Sequence, residues 1–111
     1  MLYIIIILFV IAAIFGVTIL KNWLTSANTS RTVIYAHGVF AAIALVLLII
    51  YLIENPVNNV RISLILFIVA AIAGFYMFFR DLKGKFSPTW LAVIHGVVAA
   101  TGLVFLLLMI F

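Results

Sequence analysis

His37 and His95 are the only imidazoles in a chain of 111 residues that has no cysteine and only two carboxylates, Glu54 and Asp81. Without cysteine, disulfides, thiolate metal sites and cysteine nucleophiles are excluded. The two carboxylates fall in different polar connections and no nucleophile–base pairing is visible, which argues against hydrolytic catalysis of the soluble type. The chemistry left is that of two ring nitrogens, able to hold a proton or to ligate a metal. Each histidine opens a similar motif: His37-Gly38-Val39 followed by Ala41-Ala42, and His95-Gly96-Val97 followed by Ala99-Ala100.

These motifs belong to a longer internal repeat. Residues 1–53 align with 59–111 without a gap, at an offset of 58, and 17 of the 53 positions are identical. Ile7-Leu8-Phe9 matches Ile65-Leu66-Phe67, while Ala12-Ala13-Ile14 and Gly16 match Ala70-Ala71-Ile72 and Gly74. Runs of Leu, Ile and Val inflate any such score, so the aliphatic matches carry little weight. The matched His-Gly pairs and glycines carry more.

The elements that position these residues follow from composition. The chain is 70% hydrophobic and 7% charged, whereas soluble domains are about half apolar and about a quarter charged. A soluble fold this small could not bury so much apolar side chain. Four uninterrupted apolar windows, Leu2–Leu20, Val33–Ile53, Val60–Phe79 and Trp90–Phe111, each approach the roughly 20 helical residues that cross a bilayer. Apart from Arg61 at the edge of the third they contain no charge, they contain no proline, and they do not alternate, so β structure is disfavoured. The polar connections 21–32, 54–59 and 80–89 are short and make sequential helices antiparallel. Asn55-Pro56 marks a turn, and Pro88 marks the start of the last helix. The expected fold is an all-α, four-helix up-down-up-down membrane bundle, one domain over 1–111, built from two parallel hairpin repeats.

Lys21, Arg31, Arg80, Lys83 and Lys85 fall in the first and third loops, against Arg61 alone at the other end. The positive-inside rule then places loops 21–32 and 80–89 in the cytoplasm and both termini outside, in a bacterial-type inner membrane. Trp23 and Trp90 are expected in one aromatic belt, Tyr3 and Tyr51 near the other. No Lys or Arg precedes the first apolar run, so it reads as a retained helix rather than a signal peptide. The formal charge of +4 forms no basic stripe, and nucleic acid is not an expected partner.

Both histidines lie about five residues into their helices, or roughly 7–9 Å into the span. The second and fourth helices are diagonal in such a bundle, so the imidazoles can face one another across the axis. Small residues surround them: Ala41 and Ala44 on the face of His37, Ala99 and Gly102 on that of His95, and Gly38 and Gly96 beside them. Gly16 and Gly74 reach the same depth from the first and third helices, with Ala12 and Ala70 a turn deeper. The pattern describes a bundle that is hollow at one level, with two nitrogen ligands facing the hollow. A flat macrocycle carrying iron fits it, because bis-histidine ligation fills both axial positions of a haem. The second ring nitrogen would turn to the i−4 carbonyls of Val33 and Leu91. Arg31, Arg80, Lys85, Tyr35, Thr32 and Ser87 are within reach of haem propionates. The same small residues at four-residue spacing also serve ordinary helix packing.

This arrangement resembles the haem-binding core of the respiratory cytochrome b family and related small membrane b-type cytochromes. In that core the second and fourth helices supply histidine pairs, and glycines on the first and third make room for the porphyrin. His37 and His95 match the ligand positions, and Gly16 and Gly74 the spacing glycines. The family carries two histidines on each ligand helix; this chain has one, with apolar Ile50 and Leu108 standing where the second would be. The resemblance therefore implies a single haem b near the cytoplasmic face, binding iron through His37 and His95. It also implies an electron carrier rather than an enzyme, exchanging single electrons with a quinone or a redox protein. Two other readings stay open. One is a cofactor-free structural or assembly subunit, alone as a homo-oligomer or within a larger membrane complex. The other is a small transporter using the histidines as proton or metal groups, although the spans lack any other ionisable group suited to a pathway.

Overall fold

The computed structural model describes residues 1–111. It contains four helices and no strand: α1 (Leu2–Leu24), α2 (Arg31–Glu54), α3 (Asn58–Leu82) and α4 (Thr89–Leu107). All four are long and apolar enough to cross a membrane. They exceed the apolar windows at most ends because polar residues such as Lys21, Arg31 and Asn58 continue the backbone hydrogen bonding. Helix α4 is the exception. It stops at Leu107, and the chain closes in a tighter turn, Met109 N–H donating to Leu106 and Ile110 N–H to Leu107.

The bundle measures 41 × 23 × 22 Å. Packing is most extensive within the hairpins α1–α2 and α3–α4 and sparser between α1 and α4 and between α2 and α3, while the diagonal pairs α1/α3 and α2/α4 keep their backbones apart and meet only through side chains on the axis. That is the up-down-up-down order, with α2 and α4 on a diagonal. Only 13 of 111 residues are buried. The outer surface is therefore mostly aliphatic and aromatic, which suits lipid rather than water.

The core sits on the central axis, toward the end that carries both termini. Phe9 and Phe67, equivalent in the repeat, stack there with centroids 3.8 Å apart and planes within 1°. Ile5, Leu48, Val60, Ala44 and Leu106 close around them. Gly102 makes the stack possible, since a Cβ there would come within 3.2 Å of the Phe67 ring. Ser63 is buried in the same region and donates its Oγ–H to the Gly102 carbonyl at 2.8 Å.

The hairpins also end their first helices alike. After α3, Gly84 takes a left-handed φ of +71°, with Gly84 N–H donating to Asp81 and Lys85 N–H to Arg80. After α1, Ser26 at φ 58° does the same, with Ser26 N–H donating to Trp23 and Ala27 N–H to Asn22. A glycine suits this closing turn; a serine there is strained. The third loop is tied to the first by an ion pair between Arg31 and Asp81.

Candidate functional site

The two imidazoles face each other across the axis, ring centroids 6.2 Å apart and planes inclined by 72°. Each is anchored identically. His37 Nδ1 lies 2.7 Å from the carbonyl oxygen of Ala12, and His95 Nδ1 lies 2.7 Å from that of Ala70. A carbonyl can only accept, so Nδ1 carries the proton and donates. The tautomer is thereby set: Nε2 is the nitrogen with a free lone pair, and on neither ring does it make a hydrogen bond.

These anchors correct one expectation. The partners of Nδ1 are carbonyls of the neighbouring helices, not the i−4 carbonyls of Val33 and Leu91. The reason lies in Gly16 and Gly74. A helix carbonyl points toward the residue four positions on, whose Cβ leans back over it. With glycine at position 16, the Ala12 carbonyl is uncovered on the side facing α2, and a second lone pair remains open to the imidazole. A Cβ built on Gly16 would stand 3.0 Å from His37 Cε1 and 3.2 Å from its Nδ1; one on Gly74 would stand 3.0 Å from His95 Cε1. The glycines thus make room for the imidazole rings themselves.

The remaining residues divide. Ala41 and Ala99 are half-buried, and Ala99 packs on the core. Ala44 and Gly102 do not line a hollow, because the Phe9–Phe67 stack occupies the space at their depth. Gly38 and Gly96 have nothing within 4 Å of an added Cβ and so contribute no close contact. Of the polar residues near the basic loops, Arg31 is engaged with Asp81. Tyr35 is half-exposed and meets Phe78 edge-on at 6.0 Å. Arg80 Nη2 donates to the Phe86 carbonyl at 2.8 Å, while Lys85 and Thr32 are exposed. Ser87 is buried with its Oγ unpaired.

Two pairs of residues carry roles that the sequence analysis does not assign. Phe9 and Phe67, which floor the site, lay within matched aliphatic runs that were discounted; their exact correspondence at offset 58 was the available signal. Ala12 and Ala70 were read as small spacers, whereas it is their carbonyls that act.

Two opposed imidazoles with Nδ1 engaged and Nε2 free are able to ligate a metal. Ligating histidines characteristically donate their other N–H to a backbone carbonyl, which fixes the ring and raises its basicity. Metal–imidazole bonds of about 2 Å, with roughly 1 Å from each nitrogen to its ring centre, put two opposed rings about 6 Å apart, close to the separation here. No group of three or more His, Cys, Asp or Glu side chains is gathered anywhere, so these side chains supply at most two ligands at this level. No family model matches the chain, and neither a curated protein nor a solved structure matches it.

Proposed function

We propose that this chain is a membrane-embedded b-type haem protein that holds one haem between His37 and His95 and passes single electrons to or from a quinone or a redox protein. The observation that carries this reading is the twin anchoring: two imidazoles, each with Nδ1 committed to a carbonyl and Nε2 free, opposed on the bundle axis. Haem supplies the one-electron chemistry, and its potential would be set by burial and by its axial ligands. The protein's part is to keep both Nε2 lone pairs available and to hold the rings in place. With His37 and His95 both holding the haem iron, oxygen binding would be disfavoured. The sparse contacts between the hairpins give the route by which a flat group would enter, parting α1 from α4 and α2 from α3 while each hairpin stays intact. In the proposed orientation the basic loops face the cytoplasm of a bacterial-type cell, and the haem lies nearer that side.

The test is optical. Protein purified in detergent with haem supplied should show a sharp Soret band and a reduced α-band, and His37→Ala and His95→Ala should each abolish or convert the low-spin spectrum. A colourless protein that takes up no added haem would refute the reading. It would favour instead a cofactor-free structural subunit, supported by one specific observation: with both Nδ1 satisfied and the rings in edge contact, the histidine pair already forms a self-sufficient packing element.

A further inference from the structure

The two halves differ most on the lipid-facing side of α3 and α4, at the end carrying the first and third loops. An apolar groove of about 540 Å³ runs there between the two helices, lined by Val69, Ala73 and Tyr76 on α3 and by Trp90, Leu91 and Ile94 on α4. Positions 69, 73 and 76 form one stripe of the helix, about 10 Å long, and Arg80 is the next residue on it. The Arg80 guanidinium lies over the Tyr76 ring, 5.7 Å from its centroid, at the head of the groove. Lys83 and Lys85 follow in the loop, and Asp81, the only acid nearby, is already paired with Arg31. Arg80, Lys83 and Lys85 thus follow the groove in sequence with no carboxylate partner. Two buried donors in the same knot, Arg80 Nε and Ser87 Oγ, also lack an acceptor.

The equivalent place in the first hairpin has none of this. Phe15 stands where Ala73 does and stacks on Phe40 with centroids 6.0 Å apart, occupying the room the groove leaves in the second half. Asn22 replaces Arg80, Thr18 replaces Tyr76 and Thr32 replaces Trp90. At the positions equivalent to Arg80, Lys83 and Lys85 the first half has Asn22, Thr25 and Ala27, and of its own cations at this end Arg31 is paired with Asp81.

We infer that the α3–α4 groove binds an anionic glycerophospholipid, one acyl chain lying along Val69, Ala73 and Ile94 and the phosphate resting against Arg80, Lys83 and Lys85. An acyl chain is the apolar ligand a lipid-facing groove meets, and clustered basic residues at a membrane surface attract anionic headgroups. Tyr76 and Trp90 suit the glycerol level between chain and phosphate. The inference does not rest on haem binding.

Tryptophan quenching tests it on the full chain in detergent, with Trp23→Phe leaving Trp90 as the single reporter. Phosphatidylglycerol brominated along its acyl chains should quench Trp90 at a concentration at least fivefold lower than equally brominated phosphatidylcholine. Replacing the three cations (Arg80→Gln, Lys83→Gln, Lys85→Gln) should abolish that preference, and Ala73→Phe, which copies the first half, should weaken quenching by both lipids. Ala73→Leu serves the same purpose should the larger side chain prevent folding. Equal quenching by the two lipids, a preference that survives the triple replacement, or unchanged quenching in the groove variants would each overturn the inference. So would displacement by glycerol phosphate at the same concentration as the lipid, since the groove would then contribute nothing.

Discussion

Hairpin α1–α2 and hairpin α3–α4 are alike at the histidine level and unlike beside it, where α3 and α4 enclose a groove. On the axis the equivalences hold to the atom: Ala12 and Ala70 accept from His37 and His95 at the same 2.7 Å, and Gly16 and Gly74 lie against the same ring edge. Phe9 meets Phe67 face to face. Beside the groove the matches lapse: Phe15 against Ala73, Thr18 against Tyr76, Asn22 against Arg80. A residue on a pseudo-twofold axis packs against its own counterpart, so a change in one half must be accommodated by the other. A lipid-facing residue has no such partner. The match at the histidine level is therefore a constraint on both halves at once, whereas the aliphatic identities that face lipid carry little weight.

The strongest way to break this equivalence is to remove the histidines one at a time. Under the haem reading, His37→Ala and His95→Ala should each lower haem retention by at least about tenfold, the scale on which even an outer-shell partner of a metal site counts, and by similar factors. Spectral titration of both variants checks it. A large inequality would mean that one ring alone carries the site. Gly16→Ala and Gly74→Ala follow. Each introduces a methyl about 3.0 Å from Cε1 of the neighbouring imidazole, so the ring must give way and lose its carbonyl. Overpacking of this kind costs about 1–3 kcal/mol, read as a lower unfolding midpoint in detergent. The two variants should suffer alike.

Much of this architecture is legible in the sequence. Four apolar stretches and short polar loops suffice for the bundle, because in lipid the backbone must satisfy its own hydrogen bonds and only helices do so within a single segment. The opposition of His37 and His95 follows from equal depth on diagonal helices. What was not legible depends on side-chain direction and backbone shape. That Nδ1 would choose Ala12 and Ala70 turns on which helix carbonyl a glycine leaves uncovered, a contact between residues 25 apart. That Phe9 and Phe67 would fill the level of Ala44 and Gly102 turns on two rings meeting on the axis, which no single-helix periodicity reports. The α3–α4 groove was invisible for a similar reason: Ala73 looks like one more small residue until Phe15 is seen filling the equivalent place.

The closing turns sharpen the comparison on a smaller scale. Ser26 and Gly84 occupy equivalent left-handed positions, but only glycine takes that conformation without Cβ strain. Ser26→Gly should raise stability by about 1 kcal/mol, and Gly84→Ser should lower it by about as much. Thermal unfolding of the two variants in one detergent measures both shifts. Shifts of the same sign would show that the turns are not equivalent.

The smallest expected effect lies where the core departs from the repeat. Ser63 and Ile5 are equivalent and both fully buried, yet only Ser63 has a hydroxyl, and it spans from α3 to the Gly102 carbonyl of α4. Interhelical hydrogen bonds in membrane proteins contribute on average about 0.6 kcal/mol, because the carbonyl keeps its helical partner and the separated helices find others. Ser63→Ala should therefore lower stability by only about that much, as read from reversible unfolding in mixed micelles. Ile5→Ala, which deletes most of a buried aliphatic side chain from the matching position, should cost about 2–5 kcal/mol. If the serine change proved the costlier, a polar tie and not apolar packing would be what holds the second hairpin together at this depth, and the two halves would differ in their cores as well as on their surfaces.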